Sequence, residues 1–428
     1  MNKKRTIIWI EGLLLFSIQA AIFLFQIKSV PFHVDESQWI STSSVFEAVT
    51  HGDFTSSIWD LSFWNMTQPQ LPRYIIGVGR WLGGEDGAAL NTPWVWRENV
   101  ANNEAKGRMP TPYMLWWSRM PMAVLAAAAF LLTFLLLKRF MGRALAYIWL
   151  ILINFSSYYS TNLLRAMGEA TLLVCIIGVL VIAFHLLRAA DEKPNKIYLY
   201  ILIFGIVSGL AESAKLNGAS VLAAGVILLF VIAFRSTQSK TLKIRSGLIS
   251  MFILAFSSQG IFELLNPFLW KSPLTYWLLM FYDRVHEMQL QQGIFPNFII
   301  HGFFRHITVD SQRIFQTFAS LHFTGALWVN LGLFLAGITF LIMKSVQYLR
   351  RQHNQPAALA LLVVGGAAAI PSLFTPLDWE RYYLLPAFFS TIAIAIGIWL
   401  LGSYGYGLIQ RRLRVPNSKI ALLLSKRG

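Results

Sequence analysis

Residues 7–39 read IIWIEGLLLFSIQAAIFLFQIKSVPFHVDESQW, an apolar run followed closely by two acids. The part from 7 to 27 is long enough to cross a bilayer, because a span needs roughly 20 mostly apolar residues. It follows three basic residues, as a signal peptide would, but it exceeds the apolar length of a signal peptide and no small-x-small cleavage site follows it. We therefore expect an uncleaved membrane span with Asp35 and Glu36 immediately beyond its end.

The whole chain has the composition of a membrane protein. Of its 428 residues, 56% are hydrophobic and 13% are charged, whereas soluble domains average about 45–50% and about 25%. This excludes a conventional soluble enzyme and a disordered chain, and the single cysteine, Cys175, excludes an intrachain disulfide framework. We predict an all-α polytopic protein with one integral membrane domain over 1–428. About ten candidate spans lie at 7–27, 115–137, 144–160, 166–187, 197–213, 217–234, 246–266, 322–343, 356–375 and 382–402.

The distribution of charge predicts which side of the membrane each loop faces. The net charge is +16, which in a soluble protein would suggest a nucleic-acid partner. Here 22 of the 36 basic residues, but only two of the 20 acids, lie in the segments that ten spans place on the side of the N-terminus. Cytoplasmic loops carry such an excess of Lys and Arg, so we expect cytoplasmic termini and no nucleic-acid partner. The two long loops, 28–114 and 267–321, are then extracytoplasmic.

The compartment follows less directly from the sequence. A single cysteine leaves no disulfide framework, and the chain has no organelle-retention signal. Both observations favour a bacterial inner membrane.

The first long loop carries the residues best suited to catalysis. Adjacent residues on a helix or strand do not point the same way, so Asp35 and Glu36 are not expected to form one paired-carboxylate site. One of them can act as a general base for a hydroxyl proton, while the other supports the structure or binds elsewhere. The alternative is two solvated acids at a helix terminus. Segments 37–50 and 69–82 are typical of short amphipathic helices that lie on the membrane surface.

Four stretches together resemble a known family of membrane enzymes. They follow one another on the predicted extracytoplasmic side, within roughly residues 7–400. The sequence is similar to the GT-C membrane glycosyltransferases, and more narrowly to the dolichyl-phosphate-mannose protein mannosyltransferases and the bacterial aminoarabinose transferase that modifies lipid A. The stretches are an Asp-Glu motif at Val34–Trp39, a counterpart of His-Pro-Pro-Leu-x-Lys at Gln68–Arg73, a Gly-Leu-Ala-x-x-x-Lys helix end at Gly209–Lys215 and an Arg-Tyr-x-x-x-Pro motif within Asp378–Pro386.

The resemblance implies a particular reaction. The donor would be a sugar linked through phosphate to a polyprenyl lipid, and the acceptor a hydroxyl of a glycan, a lipid or a protein. Transfer would occur on the extracytoplasmic face and would invert the anomeric centre. The resemblance implies Asp35 as the general base, with Glu36 orienting it or binding a second ligand.

Cations on the same side are candidates for binding the departing phosphate, because Arg and Lys stabilise the charge that develops there. The motifs favour Arg381 and Lys215, then Arg73, and we add Tyr382 and Arg165 as further binding residues. Three of the cations have a structural alternative, an ion pair with an acid three or four residues away on a helix. These pairs are Lys215 with Glu212, Arg381 with Asp378 and Arg165 with Glu169.

No metal or other cofactor is predicted. The eight histidines form no constellation with Cys or clustered carboxylates. The aminoarabinose transferase carries Glu-Lys beside a zinc-linked site, where this chain has Thr67-Gln68. A divalent metal therefore has no support in the sequence.

Two other classes of protein stay open. A lipid-linked saccharide flippase or transporter would place ionisable residues at mid-span or use paired interrupted helices, and neither pattern is clear here. A non-catalytic membrane subunit in envelope assembly would tolerate loss of Asp35.

Overall fold

The computed structural model describes residues 3–236, 239–318, 321, 323, 325–352 and 355–413. In this part of the chain the regular structure is helical, apart from one isolated bridge between Ile299 and Leu377, so the all-α prediction is confirmed. The α-helices are α1 (Lys3–Gln26), α2 (Val34–Ser41), α3 (Val45–Thr50), α4 (Phe63–Thr67), α5 (Leu71–Leu82), α6 (Val100–Ala105), α7 (Pro112–Met141), α8 (Arg143–Phe155), α9 (Ser157–Leu163), α10 (Glu169–Glu192), α11 (Ile197–Ala214), α12 (Ser220–Arg235), α13 (Lys240–Leu265), α14 (Pro273–Ile294), α15 (Phe303–Gln312), α16 (Ala326–Leu349), α17 (Ala357–Leu373) and α18 (Leu384–Leu413).

Among the described residues, eight helical segments are long and apolar enough to cross a membrane, and two shorter apolar helices, α8 and α17, accompany them. The chain is therefore an integral membrane protein. The helices fall where the apolar runs predict them. Eight of the ten predicted spans contain a helix that meets the length of a span, the other two contain the shorter α8 and α17, and the count of ten stays a prediction. The run at 144–160 is divided, because α8 ends at Phe155 and α9 begins at Ser157. Residue 322, where another run was expected to begin, lies outside the described residues, as do 414–428.

Helix α10 forms the centre of the bundle and packs against α7, α11, α12 and α17. Its buried side chains include Leu173, Ile177 and Leu180. Lipid is as apolar as these side chains, so helices associate in a membrane mainly through close packing. Small residues permit that approach: a Cβ at Gly337 of α16 would overlap the carbonyl of Ala393 in α18.

The bundle has two ends. We define the loop end as the end where α10 begins and α11 finishes, and the opposite end as the end where α10 and α12 finish. The described residues of the segments 28–114 and 267–321 lie at the loop end and are largely helical there, since they contain α2 to α6, α14 and α15. Both segments expected to form surface helices are helical, although 37–50 is divided between α2 and α3; 69–82 contains α5.

A buried arginine connects α5 to α3 and to the turn before α3 through hydrogen bonds. Arg80 of α5 donates from Nε to Ser43 Oγ at 2.8 Å and from Nη2 to Glu47 Oε1 at 2.9 Å. Its side chain is fully buried, and such a charge is stable inside a protein only when it is paired and hydrogen-bonded. The first long loop is thus a packed layer on the bundle.

Candidate active site

A cavity of about 470 Å³ lies at the loop end. Much of its lining is aromatic or aliphatic, including Trp64, Phe281, Phe295 and Trp379. A cavity with apolar walls and a few convergent polar groups is the usual form of a small-molecule site. Among the described residues, its charged lining consists of Asp35, Glu169, Lys215, Arg284, Glu287 and Arg381.

A second cavity, of about 380 Å³, lies next to the first. The two share part of their lining, above all Asp35 and Arg381. The second cavity adds two cations, Arg165 and Arg313, and two acids, Asp378 and Glu380. One carboxylate and one guanidinium, those of Asp35 and Arg381, therefore lie where the two cavities meet.

Asp35 is held in the first turn of α2. His33 caps this helix, and its Nδ1 accepts a hydrogen bond from the Asp35 amide at 3.2 Å. The Asp35 carboxylate is 7% exposed and forms an ion pair with Arg381. Burial raises the pKa of Asp35, but the charges of Arg381 and His33 outweigh burial and hold it below its ordinary value. Asp35 is therefore ionised at neutral pH.

Glu36 points away from both cavities, as the divergence of adjacent side chains predicts. It is fully buried, and its Oε1 accepts from Arg119 Nε at 2.7 Å and from the Ala166 amide at 2.8 Å. Its Oε2 accepts from Arg119 Nη2 at 2.6 Å and from the His33 amide at 2.9 Å. Both oxygens are occupied by protein donors. This geometry gives Glu36 the supporting role that the sequence allowed for one of the two acids, joining α2 to α7 and to the segment before α10, and not a direct catalytic or ligand-binding role.

Arg381 lies just before α18 and reaches Asp35 across the fold. Its guanidinium lies 5.1 Å from the centre of the Trp379 ring and 5.7 Å from that of Tyr382. The structural alternative, a pair between Arg381 and Asp378, does not form, because Asp378 binds Arg313 instead, at 2.9 and 2.7 Å. Arg381 and Tyr382 both line the main cavity, as a binding role requires.

Lys215 also lines the main cavity, but its partner differs from the expected one. Its Nζ donates to Glu169 Oε1 at 2.9 Å, whereas Glu212 accepts from Trp277 Nε1 at 2.9 Å. The helical spacing fails because α11 ends at Ala214 and the Lys215 backbone is extended, with φ −165° and ψ 138°. The buried Oε2 of Glu169 has no hydrogen-bond partner among the described residues.

Arg165 lines the second cavity without forming the expected pair with Glu169. Residues 164–168 are not helical and α10 begins only at Glu169, so the two side chains are not one helical turn apart. The buried Nε of Arg165 has no hydrogen-bond partner among the described residues. Burial lowers the pKa of its guanidinium, although Glu36 and Glu169 oppose this effect.

Arg73 is the one expected phosphate ligand that lines neither cavity. Its side chain is 1% exposed and donates to Asn65 Oδ1 and Gln70 Oε1, each at 3.0 Å, and to the Trp64 carbonyl at 2.7 Å. Burial lowers its pKa to about 9. The expectation of phosphate binding is therefore corrected: Arg73 fastens α4 to α5.

Four charged residues have larger roles than the sequence suggested. Glu169 lines the main cavity, although its spacing from Arg165 indicated only a structural pair. Arg284 and Glu287 form an ion pair one turn apart on α14 and line the same cavity. The sequence did contain a signal for Arg119, because a charge within the apolar run 115–137 requires a buried partner.

No group of three or more His, Cys, Asp or Glu side chains in the described part of the chain is arranged to hold a metal ion. The charged groups of the site instead form acid–base pairs, such as Asp35 with Arg381 and Lys215 with Glu169. Metal dependence stays a prediction for experiment.

Comparisons with known proteins identify the fold. ArnT from Cupriavidus metallidurans, in a crystal structure bound to undecaprenyl phosphate, is similar with a TM-score of 0.50 and 15% sequence identity over 94% of this chain and 63% of that chain. An Archaeoglobus fulgidus oligosaccharyltransferase in the apo form has a TM-score of 0.48 and 14% identity over 97% and 54%. The S. cerevisiae protein O-mannosyltransferase Pmt1-Pmt2 complex bound to the sugar donor has a TM-score of 0.42 and 16% identity over 64% and 34%. No family model matches the sequence, and no curated protein sequence matches it.

The chain has the GT-C fold of membrane glycosyltransferases, which confirms the fold that the sequence motifs suggested. At 15% identity the likeness to ArnT is one of fold. The chain spans 63% of the length of that protein.

Proposed function

We propose that this protein is a glycosyltransferase that moves a sugar from a polyprenyl-phosphate donor to an acceptor hydroxyl on the extracytoplasmic face, with inversion. The observation that carries the proposal is the ion pair of Asp35 and Arg381, which lines two adjoining cavities. Transfer between two substrates needs a base for the acceptor and a cation for the leaving group side by side. The fold of ArnT, whose crystal structure is bound to undecaprenyl phosphate, supports this class of donor.

The proposed reaction is a single displacement. The acceptor oxygen attacks the anomeric carbon opposite the phosphate and forms the new glycosidic bond, while its proton passes to a carboxylate oxygen of Asp35. The bond between the anomeric carbon and the phosphate oxygen breaks, and its electron pair leaves with the polyprenyl phosphate. Arg381 and Lys215 stabilise the negative charge as it develops on that phosphate.

The ion pair gives the donor a second role. Arg381 donates to Asp35 in this structure, so a donor phosphate and Asp35 compete for one guanidinium. A phosphate that takes Arg381 removes a charge that lowers the pKa of Asp35, and burial then makes the carboxylate a stronger base. Donor binding thereby prepares Asp35 to accept the proton.

The unpaired side-chain oxygen of Glu169 is an argument for a carbohydrate as the ligand of the main cavity. It lines the cavity, and its buried Oε2 lacks a hydrogen-bond donor among the described residues. An unsatisfied buried acceptor of this kind is costly, and a sugar hydroxyl is the matching donor. Trp39 and Trp64, which line the same cavity, offer flat apolar faces for a sugar ring.

Sugar transfer in proteoliposomes tests the proposal. Wild-type protein would be offered labelled polyprenyl-phosphate sugars with glycan, lipid and peptide acceptors, with and without a chelator. We expect transfer by wild type and by Asp60→Asn, which changes an exposed acid of the same loop. Asp35→Asn should lower the rate at least about 100-fold, because a positioned base contributes about that much or more.

Three other results would contradict the proposal or a part of it. Turnover by Asp35→Asn at the wild-type rate would remove Asp35 as the base. No transfer of any sugar by folded wild-type protein would favour a non-catalytic subunit. Movement of an intact lipid-linked sugar between leaflets, without chemical change, would favour a flippase.

A further inference from the structure

Another cavity, of about 600 Å³, lies at the opposite end of the bundle from the candidate active site. The ends of α10, α12 and α16 and the first turns of α11 and α13 enclose it. A helix rises about 1.5 Å per residue, so Asp191 in this cavity lies roughly 33 Å along α10 from Glu169. The cavity is therefore separate from the proposed transfer reaction.

The cavity is basic. Among the described residues, its lining contains three cations, Arg235, Lys243 and Arg351, and one acid, Asp191. In the part of the chain that the structure describes, neither Lys243 nor Arg351 forms an ion pair, whereas Arg235 pairs with Asp191 at 2.9 Å. Two positive charges are thus left uncompensated beside a polar recess.

The third cation is fixed in place. The Arg235 guanidinium lies 3.9 Å from the centre of the Tyr348 ring, and its Nη2 donates to Asp191 Oδ1. The Tyr348 hydroxyl donates to the other oxygen of Asp191 at 3.0 Å. Arg235 Nη1 also donates to the Tyr348 carbonyl. A guanidinium held by stacking and by two hydrogen bonds keeps its remaining N–H groups in a fixed direction, which suits a phosphate group.

Apolar groups continue from the basic residues. Leu229 and Ile232 of α12 line the cavity, and Phe234 on the same helix and Leu248 on α13 are 79% and 67% exposed. Exposed apolar side chains on spanning helices face acyl chains, whereas the cavity lies at the helix ends, where lipid headgroups lie. A ligand with a phosphate and long apolar chains matches both parts.

We propose that this cavity binds the phosphate of an anionic phospholipid, with Arg235, Lys243 and Arg351 around the headgroup and the acyl chains along α12 and α13. Basic pockets between membrane helices recognise anionic headgroups in this way. The proposal stands on this end of the bundle alone and does not depend on the proposed transfer reaction.

Native mass spectrometry of the detergent-purified full chain tests the proposal, with phosphatidylglycerol, phosphatidylcholine and inorganic phosphate as separate probes. The variants form two matched pairs. Lys243→Gln is compared with Lys240→Gln on the same helix, and Arg351→Gln with Arg350→Gln, because Lys240 and Arg350 are exposed and line no part of the cavity.

We expect wild type, Lys240→Gln and Arg350→Gln to retain phosphatidylglycerol in preference to phosphatidylcholine. Lys243→Gln and Arg351→Gln should each weaken phosphatidylglycerol binding about fivefold, which corresponds to the loss of one basic group near an anionic headgroup. Equal retention of the two lipids, or unchanged binding in both cavity variants, would overturn the proposal. Displacement of the lipid by millimolar inorganic phosphate would assign the site to a free anion and would overturn the lipid as its ligand.

Discussion

Arg119 of α7 donates from Nε and Nη2 to the two oxygens of Glu36, at 2.7 and 2.6 Å. Both side chains are buried, and Arg119 also donates to the carbonyls of Ile27 and Val30 at the end of the first span. The pair therefore ties α1, α2 and α7 together directly behind Asp35. Of these two acids adjacent in sequence, Glu36 stabilises the packing of the helices, and Asp35 faces the cavities.

Breaking this pair should destabilise the protein strongly. Glu36→Gln leaves the Arg119 charge buried and uncompensated, and removal of one partner of a buried pair costs about 3–5 kcal/mol. Thermal unfolding in detergent measures the effect. Glu98→Gln is the control, because the Glu98 carboxylate pairs with Lys106 and Arg108 near the surface, and it should unfold close to wild type. Equal unfolding temperatures for the two variants would contradict the structural role of Glu36.

The pH dependence of transfer should report the Asp35–Arg381 pair. Burial raises the pKa of Asp35, but Arg381 and the neighbouring charges lower it further than burial raises it. The reaction needs the carboxylate, so the kcat/KM of wild type should be constant from neutral pH to about pH 5 and fall only as the pH approaches the lowered pKa. Arg381→Gln removes that charge and leaves burial, so the pH below which activity is lost should rise.

The Arg381→Gln variant should also be slower, by about 100-fold or more at its best pH, because a group that stabilises developing charge is lost. Arg108→Gln is the control, since Arg108 belongs to the loop that carries Asp35 but lines neither cavity. A pH profile for Arg381→Gln that superposes on that of wild type would contradict the coupling between the two residues.

Lys215 should contribute to the binding of the donor. Lys215→Gln removes a cation from the main cavity and leaves the buried Glu169 carboxylate without its 2.9 Å partner, so we expect the KM for the donor to rise about tenfold or more. Glu212→Gln is the comparison variant, because Glu212 accepts only from Trp277 among the described residues and a Gln carbonyl can replace that bond. Steady-state kinetics measure the KM for the donor in both variants. A matching rise in KM for Glu212→Gln would favour the helical pairing that the sequence suggested.

Arg73 should matter for stability and not for donor binding. Arg73→Met removes three hydrogen bonds and leaves Gln70 Oε1 without a donor among the described residues, whereas Asn65 Oδ1 still accepts from Gln70 Nε2. An unsatisfied buried group of this kind costs about 1–3 kcal/mol. The unfolding temperature should fall, while the donor KM of the folded fraction should stay within about twofold of wild type. A large change in KM without loss of stability would restore Arg73 as a phosphate ligand.

Much of the fold could be predicted from the sequence because membrane helices are a local property. The length of each apolar run predicts the position of a helix. Adjacent side chains point in different directions, which already separates Asp35 from Glu36. The motifs also select Lys215, Arg381 and Tyr382, which the structure brings to one cavity.

The partners of the charged groups could not be predicted in this way. Arg381 and Asp35 are 346 residues apart in the chain, and only the packed bundle brings them together. The helical spacing rule failed at Lys215 and at Arg165 for one reason: each lies in a break between helices, where the i,i+3 and i,i+4 geometry does not exist. Arg73 was misassigned because motif position says nothing about burial.

The position of the Asp35–Arg381 pair between the two cavities also bears on an unwanted reaction. Water is present at far higher concentration than any acceptor, and an activated water would hydrolyse the sugar phosphate and waste the lipid-linked donor. While Arg381 engages Asp35, the basicity of the Asp35 carboxylate stays low, and this carboxylate is poorly suited to activate water. In the proposed mechanism, Arg381 releases Asp35 only when a phosphate binds Arg381. Hydrolysis is then limited to the interval between donor binding and acceptor binding. In the proposed mechanism, the same contact that lowers the basicity of Asp35 protects the donor from the solvent.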